Sequence, residues 1–147
     1  MNQNYKHTQV GYLIIASIGV VVFSAVFTMI MGEFDWFPFI VLVIIVICLG
    51  LFSSLTVKID GGFLKVSFGP GVIKKRFLLR DIISCRAVKN PWYYGWGIRL
   101  TPSGWLFNVS GFLAVEILMR NTKKYRLGTD DAENLVRAIQ REIVLYK

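Results

Sequence analysis

Two uncharged apolar runs constrain this chain more than any other feature. Val10 to Met31 reads VGYLIIASIGVVVFSAVFTMIM and Phe37 to Leu55 reads FPFIVLVIIVICLGLFSSL, neither with a charged residue. A helix of about 20 apolar residues crosses ~30 Å of hydrocarbon, and only a helix or a closed barrel leaves no backbone group unpaired in lipid. Both runs therefore predict membrane spans, 10–31 and 37–55. The first is too long for the apolar core of a signal peptide, and MIMGEF lacks a small-x-small cleavage pattern. The expected organisation is a tail at 1–9, a two-helix transmembrane hairpin at 10–55 with a short external loop at 32–36, and a water-exposed domain at 56–147.

Charge sets the orientation. Of the seventeen Lys and Arg, only Lys6 precedes Lys58, while the connector Gly32-Glu33-Phe34-Asp35-Trp36 is acidic. The positive-inside bias then predicts a multi-pass membrane protein with both termini cytoplasmic. Tyr5, Tyr12, Phe34 and Trp36 flank the runs, as aromatic residues at headgroup level do. Gly19 and Ala25 are among the small residues that would let the helices, or a partner helix, approach closely.

From Leu55 the pattern changes to period two. Leu55, Val57 and Ile59 alternate with polar residues up to Gly61-Gly62, and Leu64, Val66 and Phe68 alternate up to Gly69-Pro70-Gly71. Ile98 and Leu100 predict one face of a later strand with Trp96, and Trp105, Phe107 and Val109 one face of the next. The spacing predicts about seven short antiparallel strands forming a sandwich or barrel. An amphipathic helix over 131–146 ends the chain, its apolar stripe Leu135, Val136, Ile139, Ile143 and Tyr146. Asp130 with Glu133, or alternatively Thr129, is placed to cap it.

The segment GWGIRLTPSGWLFNVSGFLAVEILMRNTKKYRLGTDDAENLVRAI resembles the closing half of small bacterial membrane proteins with a pleckstrin-homology (PH)-like domain. The GIRLTPSGWLFNVSG turn and the YRLGTDD junction carry most of the likeness. It implies an α+β fold in which a PH-like antiparallel barrel is capped by one C-terminal helix, and a membrane address. It implies no reaction and brings no functional residues with it. PH domains that hold phosphoinositide do so with basic residues around the first hairpin, where this chain has Asp60-Gly61-Gly62-Phe63.

The residues argue against a catalyst. His7 is the single histidine, so no His-based triad and no multi-His metal site can be assembled. No phosphate-cradling loop is present, and no cofactor or metal is expected. Cys48 and Cys85 fall in an apolar run and a predicted strand, and no bridge between them is expected.

Binding is the remaining class. Lys74, Lys75 and Arg76 form one basic group, and Lys123 and Lys124, with Arg120 and Arg126, a second. Beside an anionic leaflet each nearby cation contributes roughly 1 kcal/mol, although such charges also keep a tethered domain soluble. Trp92, Tyr93 and Tyr94 follow Pro91 in an irregular segment, and three consecutive aromatics cannot all be buried by one period-two face. With Arg99 they make a candidate interaction edge, or a plug at the barrel end. The expected partner is a membrane or cytoplasmic protein, with anionic phospholipid as the alternative. Docking through the spans as an accessory or immunity-type subunit and homo-oligomers are further readings, and nucleic acid is the weakest.

Overall fold

The period-two segments fold as strands of two open sheets. The computed structural model describes residues 5–32 and 35–146. In chain order it has β1 (Lys6–Val10), α1 (Tyr12–Ile30), α2 (Trp36–Leu51), β2 (Ser54–Asp60), β3 (Phe63–Phe68), β4 (Ile73–Leu78), β5 (Ile82–Lys89), β6 (Gly97–Thr101), β7 (Gly104–Asn108), β8 (Leu113–Met119), β9 (Lys124–Gly128) and α3 (Ala132–Leu145). The first sheet has the order β1-β2-β3-β4 and the second β5-β8-β9-β7-β6.

This corrects the expected fold class. The strands form sheets of four and five that do not close into a barrel, and the single barrel of about seven strands is absent. Alternation fixes which side chains share a face, but says nothing about whether the last strand returns to the first. The second sheet also contains a parallel pair, β7 with β9, which hairpin spacing does not announce.

The two-span hairpin is corrected as well. α1 has 19 residues, about 28 Å at 1.5 Å per residue, and is long and apolar enough to cross a membrane. α2 has 16 residues, about 24 Å, because the chain leaves the helix at Phe52 to enter β2. Only α1 among the described residues meets the length requirement. Neither helix fully buries a residue; Ile18, Val21 and Ala25 of α1 and Phe39, Leu42 and Val46 of α2 are half-buried where the two helices meet, and the rest of their apolar surface faces outward. Asp35 caps α2 by accepting from the Phe37 amide at 3.1 Å, while Glu33 and Phe34 lie outside the described residues.

Residues 6–10 are a strand, not a tail. β1 pairs with β2 from Lys6↔Lys58 to Val10↔Ser54, so both helices are inserted between two neighbouring strands of one sheet. The amide of Ile59 also donates to the Tyr5 carbonyl at 2.8 Å.

The core lies between the sheets and under α3. Leu55, Val57 and Ile59 of β2 and Leu64, Val66 and Phe68 of β3 turn inward against Phe107, Val115, Ile117 and Leu127 of the second sheet. Leu135, Ile139 and Ile143 of α3 close it along β5 and β8, each burial worth about 1.5–3 kcal/mol. Tyr146 stays half exposed beside Gly62. No Glu133 capping box forms. Asp131 instead accepts from Asn134 at 2.6 Å and from Tyr5 at 3.2 Å, while Thr129 accepts from the Asp131 amide at 3.1 Å.

The far end of the β6–β7 hairpin overhangs this core. Phe107 is buried as its alternation predicts, but Trp105 is 43% exposed and its cross-strand partner Leu100 71%. The register of both strands is as expected, but the first sheet does not extend far enough to cover them.

Candidate functional site

Two surfaces carry the residues that sequence patterning singles out. The first is the outer face of the four-stranded sheet. Strand register aligns Lys6, Lys58, Lys65 and Arg76 in one row across all four strands. Two residues closer to the helices, Thr8, Thr56, Ser67 and Lys74 form a parallel row about 7 Å away. The Thr8 and Thr56 hydroxyls are 2.9 Å apart. Together the rows line an open groove that ends at the turn Gly69-Pro70-Gly71.

Like charges directly opposite on a sheet destabilise it. Asp60 offsets part of the repulsion, accepting from Lys65 at 2.8 Å and lying 3.4 Å from Lys58 Nζ. The Lys65 hydrogen bond, then the Lys58 charge, hold its carboxyl below the ordinary carboxylate range. Among the described residues no carboxylate pairs with Lys6, Lys74 or Arg76. Arg76 lies over the Phe63 ring, 5.9 Å from its centroid.

All three residues of the sequence-predicted cluster Lys74-Lys75-Arg76 line this groove. Lys74 and Arg76 fall in the two rows, and Lys75, registered opposite the buried Val66, lies between them on the edge strand. Lys123 and Lys124 are elsewhere. They sit at the β8–β9 turn, at the end of the second sheet remote from the helices, and do not join the row. Lys6, Lys58 and Lys65 were legible only as positive-inside charges. Lys6 joins the row through β1, whose sequence Lys-His-Thr-Gln-Val gave no strand signal.

The second surface is the segment Trp92–Tyr94, a single 3-10 turn. Trp92 is 79% and Tyr93 64% exposed, while Tyr94 is half-buried, so the three aromatics are not all buried. Tyr94 lies over Arg126, whose guanidinium is 5.8 Å from the ring centroid. Arg126 is not a free surface cation. It donates to Glu116 at 2.9 Å and to Asn90 Oδ1 at 3.0 Å, and Arg86 donates to the same carboxylate at 2.7 Å. Burial pushes the Glu116 carboxyl up, but the hydrogen bonds and charges of Arg86 and Arg126 together outweigh it and leave it below the ordinary range. Through Arg126 and Asn90 this cluster pins the aromatic turn to the sheet, with the Asn90 Nδ2 buried and unpartnered. Arg99 is exposed, its guanidinium folded back to donate to the Trp96 carbonyl at 3.1 Å.

Gly19 has open space around it, so the small residues of α1 do not mediate a close helix approach there. His7 is not idle either. Its Nε2 lies 2.5 Å from Asp130 Oδ1, tying β1 to the loop before α3. Cys48 and Cys85 are both free thiols. Models of known protein families give no match to this chain, and no curated protein matches it.

Proposed function

We propose that this chain is a membrane-anchored, non-catalytic binding module that holds an acidic protein segment against the outer face of its first sheet, at the cytoplasmic face of the bacterial inner membrane. The row Lys6–Lys58–Lys65–Arg76 carries this reading. Four aligned cations destabilise a bare sheet, and Asp60 answers only the central two. A carboxylate-bearing partner supplies the rest. Three strand spacings make the row about 14 Å long, more than one phosphate group fills and close to the reach of an extended acidic peptide. β1 is an edge strand with a free ladder side, where such a segment can add. α1 supplies the anchor, and the concentration of cations on the sheets supports the cytoplasmic side.

A second reading, an anionic phospholipid headgroup, has its own support. The groove ends at Gly69, which packs against the Gly50 and Leu51 carbonyls at the last turn of α2, so the site lies beside the chain's exit from the helices. A photo-crosslinking residue at Ser67, in the full chain in native membranes, tests both. A discrete protein adduct that disappears with Lys58→Glu/Lys65→Glu supports the first reading. Adducts to lipid alone replace it with the second. Labelling confined to the chain itself overturns both.

A further inference from the structure

The register of the two sheets places one set of exposed apolar side chains at the same end as the helices. In the first sheet β1 ends at Val10, β2 begins at Ser54, and the turn between Phe68 and Ile73 lies level with them. In the second, Lys89↔Leu113, Ala114↔Gly128 and Gly97↔Asn108 mark a matching end. The two ends meet at the foot of α1. Gln9 Nε2 donates to the Ser110 carbonyl at 2.9 Å, and a Cβ on Gly11 would stand 3.1 Å from the Val109 carbonyl. The Asn90 amide, in turn, donates to the Phe112 carbonyl at 2.6 Å, which joins the aromatic segment to this end.

Loops at this end present Val72 (68% exposed), Trp92, Trp96, Phe112 and Leu113. Val72, Trp96, Phe112 and Leu113 adjoin the strand ends on the helix side, and Trp92 follows Asn90 from that side, while Tyr93 and Tyr94 reach along β6 towards Leu100 and Ser103. Lys74 and Lys89 flank them, and both are exposed. Trp and Phe set among Lys, at the base of a membrane helix, is the composition of a bilayer interface, where amphipathic rings and cations are both accommodated.

We propose that these loops are seated in the headgroup region of the membrane that α1 enters, so that the domain rests on the leaflet through Val72, Trp92, Trp96, Phe112 and Leu113. The inference rests on α1 being a membrane anchor. The occupant is lipid because the patch lies at the strand ends from which the apolar helix α1 departs. With this end seated, the distal turns, including Lys123, Lys124 and the Trp105–Leu100 overhang, face away from the bilayer.

The chain's four tryptophans provide the test. The full chain is reconstituted in mixed phosphatidylcholine and phosphatidylglycerol vesicles as single-tryptophan variants, the others changed to Phe; all four side chains are at least partly exposed. Spin-labelled lipids quench from within the bilayer and acrylamide from the water. Trp92 and Trp96 are expected to be quenched several-fold more by a shallow lipid label than Trp105, and Trp105 more by acrylamide. Trp92 and Trp96 as open to acrylamide as Trp105 would overturn the proposal. Shielding from both quenchers would overturn it too, in favour of a second copy or a protein on this patch. Trp36, at the loop end of the helices, separates the two levels of the argument. Lipid quenching of Trp36 without that of Trp92 and Trp96 sinks the seating alone, whereas no lipid quenching of Trp36 sinks the anchor and the seating with it.

Discussion

The amide of Gly11 donates to the carbonyl of Ser53 over 2.8 Å, so the residues on either side of the helical insertion are bonded to each other. This contact continues the β1–β2 ladder to the foot of the helices, where a side chain on Gly11 would crowd the Val109 and Ser53 carbonyls. The insertion is thus held at both ends by one sheet.

Removal of residues 1–10 therefore strips an edge strand from the domain, rather than trimming a tail. The loss should lower stability by on the order of 3 kcal/mol, a few net hydrogen bonds plus the Gln9 contact. Thermal denaturation in detergent, followed by circular dichroism, checks it. A fragment that starts at residue 56 also lacks Leu55 of the core and should melt without cooperativity.

Glu116→Leu leaves Arg126, which is almost buried, without its anion, and frees Asn90 and Tyr94 from their anchor. Breaking a buried pair on one side costs about 3–5 kcal/mol. The same carboxylate gives the native chain an acid dependence. Its folded pKa lies below the unfolded value, so its contribution is complete above the ordinary glutamate range and is lost as pH falls through the lower, folded value. Chemical denaturation between neutral pH and pH 3 should show that decline in the native chain and a weaker one in the variant.

Gly69 has φ +51°, and a Cβ there would stand 2.7 Å from the Leu51 carbonyl. Gly69→Ala must then move α2 against the sheet or strain the turn, at about 1–3 kcal/mol. Gly19→Ala is the matched control, because nothing lies within 4 Å of that position, and should change stability by no more than about 1 kcal/mol. A comparison of melting temperatures decides between these outcomes.

Lys6→Gln and Arg76→Gln separate binding from folding. Neither cation has a carboxylate partner among the described residues, and each faces a like charge across the ladder. Their removal should leave stability unchanged or raise it by up to about 0.5 kcal/mol, while weakening crosslinking at Ser67. A clear loss of stability would show that the row serves the sheet itself.

Local pattern carried much of this architecture. The apolar run of α1, the alternation of β2 and β3 and the buried stripe of α3 were legible because one face of each is uniformly apolar. β1 was not, because Lys-His-Thr-Gln-Val offers no apolar face and its identity comes from β2, far along the chain. The length of α2 was overread since Phe52 to Leu55 carries no charge to mark the end of the helix. At the candidate site, the cations at 74–76 were legible as one cluster, but the alignment of Arg76 with Lys65, Lys58 and Lys6 comes from strand pairing. The role of Arg126 was hidden because Glu116 and Asn90 reach it from other strands and loops.

The placement of the helices between β1 and β2 also fixes an order of events during synthesis. β1 leaves the ribosome first, but its partner follows only after α1 and α2 have emerged, and Lys6 pairs with Lys58. Until then the strand has nothing to pair with. Closing β1 onto β2 draws the two ends of the insertion together. A chain in which the helices held β1 and β2 apart would present β1 and the edge of β2 unpaired, ready to pair with other chains.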